Sequence, residues 1–223
     1  MQDLLQYKTA LDSKLHNKYI EQLSLLMLKH ICPDSYSNLS LADSPGLQSL
    51  DMSIGIEVTE AISQSTARID GEFVKMRFGK KETDARLLCK KKIELSGGEV
   101  DDISLSYPPI TSKEEIKIFQ NAVQRKMPLL PTYRDKGFQK VGLFVFYDQP
   151  PIPFDFSDSL EWFAEIQRKY HDNYDFLLFG YHCGIIQYDF KKMIYDTYRI
   201  GQSAFHNMCI LARNEVEKNN KIY

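Results

Sequence analysis

The sequence predicts a mixed α/β fold, a mixed central sheet flanked by helices, and three observations carry that expectation. Residues 140 to 147, KVGLFVFY, form an apolar run of strand length, as expected of a strand covered on both faces. Residues 54 to 60, IGIEVTE, are rich in β-branched side chains and follow the turn-forming Asp51-Met52-Ser53. Around these runs lie stretches whose apolar residues recur at helical spacing.

Taken in chain order, residues 13 to 31 place Leu15, Tyr19, Leu23, Leu26, Met27 and His30 on one helical face, and Cys32-Pro33-Asp34 closes that helix. Residues 46 to 50 and 54 to 60 read as a hairpin turning near Met52. A basic, helical stretch follows from 66 to 92. Thr111 with Glu114, and Ser112 with Glu115, each offer a capping box for a helix reaching about Met127, where Pro128 stops it. Beyond the central strand, 158 to 170 reads as a helix, 174 to 180 and 184 to 189 as strands, and 201 to 218 as a closing helix. Pro150-Pro151-Ile152-Pro153 marks a stiff loop and Ser96-Gly97-Gly98 a flexible turn, neither of them a domain boundary. The 223 residues are therefore expected to form a single domain, with a core at about 13–147 and a C-terminal α/β extension at about 154–223.

With 43% hydrophobic and 26% charged residues the chain can bury a sizeable core, which argues against disorder. Its net charge of -2 gives no bulk attraction to nucleic acid, so DNA or RNA binding needs a local basic patch. Lys75, Arg77, Lys80 and Lys81 supply one, continued by Arg86 and Lys90-Lys91-Lys92; the alternative is a solvated helix face. The cysteines, Cys32, Cys89, Cys183 and Cys209, are widely spaced with no C-x-x-C pair, which argues against a zinc site or disulfide framework and suits a reducing cytoplasm. Leu23 to Leu28 is far shorter than the roughly 20 apolar residues a bilayer demands, so no membrane partner is expected. No GxGxxG, Walker, HExxH or GxSxG motif occurs, and His182-Cys183 has no partner at ligand spacing. Trp162 and the tyrosines serve either a core or base stacking.

The informative anomaly is Glu57, a carboxylate inside the apolar run 54 to 60. Burying it without a partner would be costly. Alternation puts Ile54, Ile56 and Val58 on one face and Gly55, Glu57 and Thr59 on the other. A turn near Met52 sets Gly46 opposite Glu57 or Val58, at a cross-strand distance of about 5 Å. The pair "SPG" and "EVT" on this hairpin resembles the PD-(D/E)xK nuclease superfamily, in which a Pro-Asp pair begins one strand and E-x-K lies on the next. The run IFQNAVQRKMPLLPTYRDKGFQKVGLFVFY is similar to the helix-then-strand unit that follows that hairpin in several branches. Together these cover about 100 residues.

The resemblance implies a restriction-endonuclease-like sheet with a nuclease-like core at 13–147, and a Mg²⁺ or Mn²⁺ site with Glu57 as catalytic carboxylate and metal ligand. It puts Thr59 in the place of the family's lysine and marks Glu21, on the first helix, as a supporting acid. Gly46 stands where the family has its metal-binding aspartate. Asp51, on the order of 15 to 20 Å from Glu57 along the strand, caps the turn instead, and Asp43 reaches the site only if Pro45 bends the chain back. Lys126 falls on the apolar stripe of the helix 112 to 127, where it either snorkels outward or meets an anion such as Glu57 or a phosphate, replacing the missing cation. Three functions are compatible with these residues: a nuclease-like protein with weakened or lost activity, a non-catalytic nucleic-acid- or protein-binding module on the same fold, or an unrelated α/β interaction protein in which Glu57 is an edge-strand charge.

Overall fold

The computed structural model describes residues 15–78, 83–100, 105–147, 156–170, 172–182 and 184–220, with the side chains of 77, 78, 112 and 156–160 left aside. Lys80, Lys81, Cys183 and the proline run at 150–153 lie outside the described residues. Helix α1 (His16–Ile31) and the single turn α2 (Pro33–Tyr36) lead into β1 (Leu39–Leu41), β2 (Leu47–Ser49) and β3 (Ile54–Glu60). Helices α3 (Gln64–Phe78) and α4 (Thr83–Leu95) and a small pair, β4 (Glu99–Val100) with β5 (Leu105–Ser106), separate β3 from α5 (Ser112–Lys126). A 3-10 turn and α6 (Leu130–Asp135) then precede β6 (Lys140–Tyr147). The chain continues through α7 (Phe156–Gln167), β7 (Phe176–Tyr181), β8 (Gly184–Asp189), β9 (Ile194–Arg199) and α8 (Gln202–Asn220).

Seven strands make one mixed sheet in the order β1-β2-β3-β6-β7-β8-β9. Its centre, β3, β6 and β7, is parallel, and antiparallel ladders extend it on both sides. The expected hairpin forms in the expected register, Leu47 opposite Ile56, and its tight turn is held by Met52 at φ +58 and by Asp51, which accepts from the Ser53 amide at 3.1 Å. The strand at 140–147 lies beside the hairpin, parallel to it, and α5 packs on both β3 and β6.

Both faces of the sheet are covered, which explains why β6 is apolar at every position but its first. Phe144 and Phe146 join Leu23 and Met27 of α1 and Phe205 of α8 in one core. Val141, Leu143 and Val145 join Phe119 and Val123 of α5, Tyr133 of α6 and Phe163 of α7 in the other. The face carrying Glu57 is thus as apolar as its opposite. The C-terminal strands β7 to β9 continue this same sheet.

Local chemistry positions α5 in particular. Of the two capping boxes, the first forms: Thr111 accepts from the Glu114 amide and Glu114 accepts from the Thr111 amide at 2.9 Å. Arg125 and Lys126 close the helix at its negative end. Pro128 ends α5, but the chain turns at once into α6, and the Tyr174 hydroxyl donates to the Lys126 carbonyl at 3.0 Å. That bond fixes where Lys126 leaves the helix.

A second network ties α6 to the sheet. Asp175 accepts from the Val141 amide at 2.8 Å and pairs with Arg134 at 2.9 Å and Lys191 at 3.0 Å. Burial opposes its charge, but the Val141 amide and these cations together hold its carboxyl below the usual range. Asp175→Ala, which strands that amide at the start of β6, is expected to cost about 2 kcal/mol in urea unfolding.

Candidate functional site

The site forms where β2 stops. Its ladder with β3 pairs Leu47 with Ile56 and Gln48 with Gly55, so that one further step sets Gly46 opposite Glu57. Past that point β3 has no strand on this side among the described residues. Val58 and Thr59 point to opposite faces of β3, yet both line one cleft of about 840 Å³, so the cleft lies at this open edge. α1, α3 and α5 supply the remaining walls.

Glu57 is 7% exposed and fully engaged. Lys126 Nζ donates to its Oε1 at 2.5 Å, and the Tyr133 hydroxyl donates to its Oε2 at 2.7 Å. Lys126 therefore turns inward from the apolar stripe to an anion, the second of the two outcomes open to it. Tyr133 is buried, and burial together with Glu57 pushes its phenol well above the ordinary value, so it stays a donor.

Glu21 comes from α1 and lines the same cleft as Thr59 and Lys126. A Cβ placed on Gly46 would stand 2.9 Å from Glu21 Oε1. The carboxylate thus occupies the space that a side chain at Gly46 would need. Its pKa is raised to about 7, first by burial, then by the negative charge of Glu57, with Lys126 opposing. A carboxyl of this kind lacks a sufficient cation.

Asp43 is exposed in the turn between β1 and β2, where the Ala42 amide donates to the Gly46 carbonyl at 2.9 Å. Its charge also acts on Glu21, though least of the causes. The expected basic patch is only partly brought to the site. Lys75 lines the cleft and pairs with Glu72 at 2.8 Å, Arg77 belongs to α3 by its backbone, and Lys80 and Lys81 lie outside the described residues. Trp162 packs against the core around Phe163. His182 stands edge-on to Tyr181.

Two elements of the site carried no sequence signal. His16 at the start of α1 meets Glu60 at 2.7 Å, and both line the cleft. Arg125 donates to the Glu60 carbonyl at 3.3 Å. Tyr133 was hidden in a proline-rich turn. Nothing in spacing reveals either contact, because each joins residues more than forty positions apart.

Among the described residues no three His, Cys, Asp or Glu side chains stand close enough to share a metal ion. Nor is any helix among them long and apolar enough to cross a membrane. In comparisons with family models, curated proteins and solved structures, nothing matches this chain.

Proposed function

We propose that this chain is a nuclease-like protein that acts on nucleic-acid phosphodiesters with the help of Mg²⁺ or Mn²⁺, and that Glu21 replaces the carboxylate missing at Gly46. The observation that carries this reading is the Glu21 carboxylate standing in the space of a Gly46 side chain, across from Glu57. The carboxylate on β3 and the lysine on α5, which packs across β3 and β6 after the intervening α3, α4 and β4–β5 pair, support a restriction-endonuclease-like reading of the sheet.

Glu57 and Glu21 would hold the ion. Two carboxylates are sufficient for a cation that keeps most of its waters and takes the rest of its ligands from substrate phosphate. When bound, it would supply a water of lowered pKa and neutralise phosphate charge. Lys126 lies beside Glu57 and can stabilise negative charge developing on the phosphate, the role that Thr59 cannot fill. Tyr133 holds the orientation of Glu57. Arg125 and Lys75 line the cleft and can contact flanking phosphates.

One observation favours a second reading, the non-catalytic binding module. Both oxygens of Glu57 already have donors, so Lys126 itself acts as its cation.

A carboxylate swap tests the proposal. Wild type is expected to cleave labelled oligonucleotides in Mn²⁺, and Glu57→Gln and Glu21→Ala are each expected to lower the rate by about a hundredfold, the upper end of what loss of even an outer-shell partner of a metal ligand costs. Gly46→Asp alone would have to push the Glu21 side chain out of the space it fills. On the Glu21→Ala background it has room and should recover part of the activity. Salt-sensitive binding without cleavage in any variant would leave the second reading. Cleavage that survives Glu57→Gln would sink the first.

A further inference from the structure

The cleft beside the carboxylates has a feature that hydrolysis of a phosphodiester does not by itself require. Gly71 lies in the middle of α3 and is exposed on the cleft wall. No heavy atom comes within 4 Å of where its Cβ would be, so packing does not demand a glycine there. Glycine is the poorest interior helix residue after proline, and here it keeps the cleft wide.

The space it leaves is chemically two-sided. Ile20, Val58, Val74 and Leu129 give it an apolar lining, while Lys126, bonded to Glu57, and Arg125, bonded to the Glu60 carbonyl, bring cations among the lining carboxylates of Glu21, Glu60 and Asp70. A volume of about 840 Å³ falls within the roughly 300–1,000 Å³ of small-molecule sites. A flat aromatic group bearing a phosphodiester matches this lining. A base inside a duplex cannot enter such a cleft without being unpaired and flipped out, at a cost of a few kcal/mol.

Resting on the phosphodiester reading above, we infer that the cleft is a slot for one unpaired nucleotide, kept open by Gly71, and that the substrate class is single-stranded nucleic acid or a frayed strand end. The base lies against Val58, Val74 and Leu129, and its phosphate meets Lys126 and Arg125. A single strand enters the slot directly, whereas a fully paired duplex must first open.

Fluorescence anisotropy with end-labelled oligothymidylate, and with the same strand annealed to its complement, tests the slot without relying on cleavage. The single strand is expected to bind at least about tenfold more tightly than the duplex, which must spend a few kcal/mol to unpair the base. Gly71→Leu should abolish that preference by filling the cleft. Leu129→Trp, at a lining residue outside α3, does the same and serves if Gly71→Leu disturbs that helix. Equal binding of both forms, or unchanged single-strand binding by both cleft-filling variants, overturns the slot and leaves the phosphodiester reading standing. Binding of neither form at low salt removes the phosphodiester reading, and the slot with it.

Discussion

Lys126→Met will lower the free energy of unfolding by about 3 kcal/mol, the scale on which a buried carboxylate loses its ionic partner. Glu57 is 7% exposed and depends on two donors, the Lys126 ammonium and the Tyr133 hydroxyl. Methionine keeps most of the aliphatic packing of the lysine stem and removes only its charge. Glu57 then has one neutral donor left, and a buried, uncompensated charge makes up most of the cost. The double variant Glu57→Gln with Lys126→Met should regain most of the loss, because an amide can still accept from Tyr133 without a charge to compensate. Urea unfolding of the four proteins in the cycle gives the coupling directly. A cost below about 1 kcal/mol for Lys126→Met would mean that the pair behaves as a solvated one, since the lysine is itself 25% exposed at its side chain.

The second expectation concerns Glu21 and pH. Its pKa in the folded protein is raised to about 7 from 4.5, chiefly by burial and then by Glu57. A carboxyl with a raised folded-state pKa holds its proton longer in the native state than in the unfolded one. Stability therefore falls as pH rises from about 4.5 to about 7 and levels off above. Glu21→Gln removes this dependence. Without metal, and in chelator, the variant should match wild type near pH 4.5 and exceed it at pH 8 by on the order of 1 to 2 kcal/mol, a figure reduced for the solvent that reaches a half-buried group. Parallel stability profiles for the two proteins across that range would show that Glu21 is as well solvated as any surface glutamate. Mn²⁺ at pH 8 should restore stability to wild type and not to Glu21→Gln, because a cation that binds only the folded site shifts the unfolding equilibrium.

These two results bear on each other. Glu21 costs stability in the free protein, as a carboxyl pushed towards neutrality, whereas Lys126 adds stability by compensating Glu57. A cost like that of Glu21 accumulates at functional sites, where geometry serves binding before stability.

Much of the fold could be read from pattern alone. β6 spans the expected 140–147 and β8 the expected 184–189, because an apolar run of strand length has few other uses. The α5 capping box and the turn at Met52 were legible because they are local hydrogen-bond chemistry. β9 was missed for the converse reason: Ile194 to Arg199 is exposed at five of six positions, so it carries no period-two burial signal, and only its ladder with β8 makes it a strand. β1 has a single buried residue and was missed in the same way.

For the site, the sequence by itself determined the odd carboxylate on an apolar strand, the glycine opposite it and a lysine on a packed helix face, because periods of 2 and 3.6 place side chains without reference to the rest of the chain. It left open whether Lys126 turned out to water or in to Glu57. Tertiary structure alone decided that, as it decided that Glu21 fills the space at Gly46, that Tyr133 takes the second oxygen of Glu57, and that His16 meets Glu60. Each of these is a contact between elements far apart in the chain, and such contacts follow from how α1, α5 and α6 settle around the open end of β3, a matter of packing that no local period records.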